Sequence, residues 1–171
     1  MGNPANTVNG TYTATWKGTS LGGTDKVVPN LLPIFRAIKI GSAGLFVLDA
    51  KFEGFDFPST ITIELQEVTE ATLRLLSPWE SAPSAQIGAV PAVGMGLLQY
   101  AGELVLHPTE RGAATDMDVI CPKAVPHPQD VALRSRDPKA TAVDIWTVRF
   151  VLLPDLAEAT LNRRWFYTKG T

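Results

Sequence analysis

One cysteine, Cys121, and two histidines, His107 and His127, are all the thiol and imidazole this 171-residue chain contains. A lone cysteine excludes an internal disulfide, so the sequence reads as folded in a reducing compartment. Each histidine precedes a proline, Pro108 or Pro128, a context that favours extended, turn-adjacent backbone. No Cys/His spacing resembles a zinc site, so no metal is expected. No apolar run approaches the roughly 20 residues that span a bilayer, and no membrane partner is expected. The opening Met1-Gly2-Asn3-Pro4-Ala5-Asn6 has neither the basic nor the apolar region of a secretion signal. A phosphate-cradling glycine loop is missing as well, since Gly94-Met95-Gly96 runs on into Leu97-Leu98-Gln99.

What is present describes an ordered globular chain. An apolar fraction of 45% with 19% charged residues supports one domain with a real core. The net charge of −2 gives no blanket attraction to nucleic acid. Its distribution is uneven. Residues 1–48 carry Lys17, Lys26, Arg36 and Lys39 against Asp25, whereas residues 49–70 carry Asp49, Glu53, Asp56, Glu64, Glu67 and Glu70 against Lys51. Surfaces of opposite sign suit heterologous contact between copies.

Strand signals dominate. Tyr12, Ala14 and Trp16 alternate with polar residues, and Thr19 to Gly23 reads as a turn. Residues 27–40 are apolar but interrupted by Pro29 and Pro33, as in a broken or edge strand. Residues 45–52 read as a strand with Phe46, Leu48, Ala50 and Phe52 inward, and Asp49 and Lys51 on the opposite face. In residues 60–66, Ile61, Ile63 and Leu65 point one way and Thr60, Thr62, Glu64 and Gln66 the other. A helix follows directly, with Thr69 as N-cap, Glu70 in the first turn, and Val68 and Leu73 spaced as a staple; Pro78 ends it. Further strands are expected at 103–107, 117–121, 131–135 and 143–152. The fold class is mainly β, a β-sandwich or partly open barrel with one short flanking α-helix. Trp16 and Trp146 are expected in its core.

The expected organisation is a flexible N-terminal arm at 1–10, a β domain at 11–155 and a C-terminal arm at 156–171. Within the domain, residues 77–102 form a long proline-rich loop whose apolar residues suit packing on a neighbouring subunit. The candidate inter-subunit contacts are Trp79, Ile87, Val90, Val93, Met95, Leu97, Trp165, Phe166 and Tyr167, aromatic and apolar groups that solvent would waste.

Catalytic patterns are weak. Gly18-Thr19-Ser20-Leu21-Gly22 matches the serine-hydrolase elbow, but an elbow needs a helix after its strand, and the following residues have no helical period. No active site, no cofactor and no enzymatic activity are expected.

In order and spacing, several pieces resemble the tail tube (major tail) proteins of long-tailed bacteriophages over about residues 10–170. They are Trp16-Lys17-Gly18, Leu21-Gly22-Gly23-Thr24, Gly54 before the strand at 60–66, and Glu67 with the short helix. Leu104-Val105-Leu106-His107-Pro108, Pro122-Lys123-Ala124-Val125 and Leu152-Leu153-Pro154-Asp155 follow. The resemblance implies a virion structural protein, assembled in the host bacterial cytoplasm into rings, usually of six subunits. The rings stack head-to-tail into a tube that conducts double-stranded DNA without binding it specifically. It also implies tape-measure and terminator proteins as partners. The acidic cluster then suggests Asp49, Lys51 and Glu64 as lumen-facing residues, because a basic wall would bind phosphate. Alternatives are a ring-forming tail terminator or distal tail protein, or the tube protein of a bacterial secretion or contractile-injection system.

Overall fold

The computed structural model describes residues 11–39, 47–65, 69–79, 91–132 and 146–170. Tyr12–Trp16 (β1) and Thr19–Asn30 (β2) pair with Trp16 opposite Thr19, leaving Lys17 and Gly18 as a two-residue turn. Both have positive φ, 50° and 74°, the combination that matches the turn to the twist of its strands. The turn expected at Thr19–Gly23 is thus displaced upstream, and those residues belong to β2.

After Pro33–Lys39 (β3) and Val47–Phe55 (β4) come Thr60–Leu65 (β5), the helix Glu70–Leu76 (α1), Gly102–Pro108 (β6) and Val119–Pro126 (β7). A second short helix, Pro128–Ala132 (α2), precedes Trp146–Leu152 (β8) and Tyr167–Thr168 (β9). Six strands pair antiparallel around a circuit, β1–β2–β5–β8–β7–β6, and β6 returns to β1. The barrel is therefore closed, not a sandwich and not partly open. Closure follows from β6, which pairs with β1 through Leu104–Pro108 and with β7 through Gly102–Leu106. A six-stranded barrel is narrow enough for side chains alone to fill.

The strand periodicity supplies that filling. Ile61, Ile63 and Leu65 of β5, Leu104 and Leu106 of β6, and Val148, Phe150 and Leu152 of β8 are buried, with Ala14, Trp16, Cys121 and Trp146. Trp16 meets Phe150 edge-on at 5.8 Å and donates its indole N–H to the Ala124 carbonyl at 3.0 Å, so its one polar atom is satisfied. Where the β2–β5 register slips between Thr24 and Val27, buried Thr24 repairs the ladder. Its hydroxyl donates to the Lys26 carbonyl and accepts the Glu64 N–H at 3.1 Å.

Helix α1 forms as its cap predicts: the Thr72 N–H donates to Thr69 Oγ1 at 3.1 Å, and Arg74 reaches back to Glu70. Leu76 is fully buried in the core, with Leu73 and Leu75 partly buried against it. Residues 66–68, which include the proposed staple partner Val68, lie outside the described residues.

Three further expectations are corrected. The strand expected at 117–121 begins later, at Val119, because Met117 has φ +72°, a conformation foreign to a strand. The strand expected at 131–135 is instead α2 as far as Ala132, anchored where Asp130 accepts three hydrogen bonds from Arg149, one from its backbone N–H and two from its guanidinium. Residues 45–52 do not turn Ala50 and Phe52 into the core, for reasons given below. Phe46 lies outside the described residues.

Leu76→Ala is expected to cost about 2–5 kcal/mol through lost burial and the cavity left behind. A chemical denaturation midpoint equal to that of the native chain would show that α1 does not close the core.

Candidate functional site

β3 and β4 form a two-stranded ribbon that pairs with no other described strand. It continues the β2–β5 pair, which ends at Asn30 opposite Thr60; after a short break the ribbon starts at Pro33 opposite Phe55. The junction is pinned. The Asp56 N–H donates to the Leu32 carbonyl at 2.7 Å, and buried Ser59 accepts the Leu32 N–H while donating to the Asp56 carbonyl. Proline at 29 and 33 is tolerated because β1 pairs with β2 only as far as Thr24, so the stretch beyond is edge-like.

Cross-strand partners define the ribbon's two faces. Phe35 lies opposite Phe52 and Ala37 opposite Ala50; on the other face Arg36 lies opposite Lys51 and Ile38 opposite Asp49. The first face is apolar but uncovered over most of its length: Phe35 is 60% exposed and Phe52 47%. That overturns the inward placing of Ala50 and Phe52, because the ribbon's pairing holds them outside the barrel circuit. Arg36 and Lys51, like charges side by side, would repel; Arg36 turns instead to Glu53 at 2.9 Å.

Among the described residues only the root of the apolar face is covered, by the C-terminal segment of the same chain. Trp165 and Phe166 lie 5.3 and 5.7 Å from the Phe55 ring, and Phe55 in turn contacts Phe52. Gly54 has φ +132°, a conformation that favours glycine, and the Trp165 ring packs beside it. A cavity of about 480 Å³ remains between Phe52, Phe55, Leu161, Asn162, Trp165 and Phe166. Tyr167 belongs to β9, which pairs with β7, and Arg163 stacks on its ring at 5.2 Å.

The remaining candidates separate. Trp79 is half-buried and meets Tyr100 edge-on at 6.4 Å, tying the two ends of the 77–102 segment together. Leu97 is half-buried in a 3-10 turn, Met95 accepts a hydrogen bond from the Tyr100 hydroxyl, and Val93 is fully exposed. Ile87, Val90 and the arm at 1–10 lie outside the described residues. Asp49 and Lys51 share the polar face of the ribbon, whereas Glu64 sits on the outer wall of the barrel, 3.2 Å from Lys26. Among the described residues, the acids of 49–70 therefore do not make one acidic face. Glu53, Glu64 and Glu70 each have a basic partner, Arg36, Lys26 and Arg74; pairs this exposed contribute roughly 0–1 kcal/mol apiece.

Ser20 lies within β2, where its hydroxyl accepts the Gly22 N–H, and no helix follows it, so the elbow geometry is not built there. Among the described residues no three His, Cys, Asp or Glu side chains gather as a metal site, and no helix is long and apolar enough to cross a membrane. The sequence reading missed His107, whose imidazole lies 2.6 Å from Asp118 and 2.8 Å from the Gly112 carbonyl. The Asp118 hydrogen bond lifts its pKa above 6.5, with smaller contributions from Gly112 and Asp116 and an opposing one from burial. Neither the motif nor the spacing of residues 107 and 118 signals that contact.

No protein-family model and no curated protein matches this sequence.

Burial inside the closed barrel pushes the Cys121 thiol up to about 12. The native chain is expected to resist a disulfide reagent at neutral pH and to react fully once denatured. Rapid labelling of the native chain would contradict a closed barrel at β7.

Proposed function

We propose that this chain is a self-assembling structural protein, a tail tube subunit whose rings stack into the DNA conduit of a long-tailed bacteriophage. The observation that carries this reading is the ribbon. Two strands of 7 and 9 residues with both outer edges unpaired among the described residues are marginal alone in water and invite pairing with another chain. An exposed apolar face with charged residues opposite it resembles half of an interface. A second copy supplies the missing half, because β3 of one subunit beside β4 of the next pairs the open edges of both. Such contact is head-to-tail, and where the rotation between copies closes it makes a ring rather than an open filament. The order of sequence pieces in the tail tube resemblance supports the same architecture, with six subunits the number it implies.

In such a ring the polar ribbon face, bearing Asp49 and Lys51, is the candidate channel lining. A wall of mixed and paired charge has little net attraction for phosphate, which passage of DNA requires. Glu64, on the barrel wall, then belongs to a different surface. Tape-measure and terminator proteins are the proposed partners at the tube ends.

Purified protein viewed by negative stain, with sedimentation over a range of concentration and salt, tests the proposal. Long tubes are expected, and isolated rings would favour a terminator or distal tail component instead. Replacing Phe35 and Phe52 together by Glu is expected to abolish assembly while the barrel stays folded, since neither side chain enters the core. A strictly monomeric native chain, or a double variant that assembles normally, would defeat the reading.

A further inference from the structure

The ten residues that connect β6 to β7, Thr109 to Asp118, are fastened from inside by a single ring. His107, on the outer face of β6, directs Nδ1 at Asp118 Oδ1 (2.6 Å) and Nε2 at the Gly112 carbonyl (2.8 Å). Both partners are acceptors, so both ring nitrogens must donate, and only the imidazolium can do so. A neutral ring in either tautomer leaves one lone pair facing an oxygen.

The loop in turn holds the end of the chain. The Met117 N–H donates to the Lys169 carbonyl and the Lys169 N–H to the Asp118 carbonyl, both at 2.8 Å, prolonging the β7–β9 ladder. β9 follows directly on Trp165 and Phe166, the residues that cover the root of the ribbon. The charged groups around the ring are Asp118 and Asp116 from the loop, with Asp116 held by Arg111 at 3.1 Å. Glu110 lies in the loop's first turn, and Lys169 approaches from β9 with its ammonium on Thr115 Oγ1. From β1 the facing residue, Thr13, brings no charge.

We propose that His107 is a pH-operated latch: its imidazolium locks the β6–β7 loop and, through Asp118 and Met117, the C-terminal strand against the barrel. A group whose pKa is higher folded than unfolded adds stability that is complete below the unfolded value and disappears as pH rises through the folded one. The latch is therefore fully closed below the ordinary histidine value of 6.5 and opens as pH rises through the raised value of the folded chain, where the ring loses its proton. His127 serves as an internal reference, because burial first, and then Arg149, lowers its pKa.

The test is side-chain nitrogen NMR of the full chain across pH, with amide exchange measured in parallel. His107 is expected to carry protons on both ring nitrogens at pH 6.5 and His127 to titrate lower. Across the His107 titration, protection at Met117 and Lys169, corrected for intrinsic base catalysis, should fall about tenfold, the worth of one charge-assisted hydrogen bond. Val148, within the barrel, should keep its protection. His107→Gln, which cannot titrate, should remove the excess pH dependence. A neutral His107 at pH 6.5, or unchanged protection at Met117 and Lys169, overturns the proposal, and the native-chain titration decides the matter even if the variant does not fold.

Discussion

Backbone hydrogen bonding around the barrel is the constraint on which the other features depend. Because β6 pairs on both sides, with β1 and with β7, the sheet has no open seam between its first and last strands; the part of β2 beyond Thr24 is left without β1 beside it. Trp16, Phe150 and the aliphatic residues of β5, β6 and β8 pack inside the closed six-stranded circuit, and an open pocket of about 280 Å³ remains beside Ile61, Leu106 and Val119. Among the described strands β3 and β4 pair only with each other, so their apolar residues stay outside the circuit.

This exclusion creates the feature with functional weight. The ribbon is the outward continuation of two barrel strands, rooted by Ser59 and Leu32 and covered at its base by Trp165 and Phe166. Beyond that base, its edges and its aromatic face have no partner among the described residues. A barrel that presents a half-finished sheet is suited to the proposed assembly: the scaffold fixes the direction of the ribbon, and pairing between copies would complete what the lone chain leaves open. His107, Asp118 and β9 link the β6–β7 loop to the segment that covers the ribbon's root.

Strand character and local punctuation were legible in the sequence. Alternation identified the buried faces of β1 and β5, and Thr69 with Pro78 marked α1, because these signals depend on neighbours close in the chain. Barrel closure was not legible, since it depends on β6 choosing two partners, and alternation is the same in a sandwich and in a barrel. For the same reason Ala50 and Phe52 looked inward: a strand with one apolar face carries no record of whether a core remains to receive it. The pairing of Asp49 with Lys51 on one face was legible, but the dispersal of Glu53, Glu64 and Glu70 among separate basic partners was not. The His107–Asp118 contact spans a loop whose shape depends on positive φ at Gly112 and Met117, and only Gly112 hints at that from residue type.

The central claim is that the ribbon is unpaired in the lone chain and becomes paired between copies. Hydrogen exchange of the β3 and β4 amides, followed from dilute to concentrated protein, addresses it directly. The account predicts that amides on the outer edges of the ribbon exchange freely in dilute solution and become protected as the protein associates, while Ile63 and Val148 in the barrel stay protected throughout. Edge amides that remain unprotected in the associated protein, or that are already protected in the monomer, would contradict it.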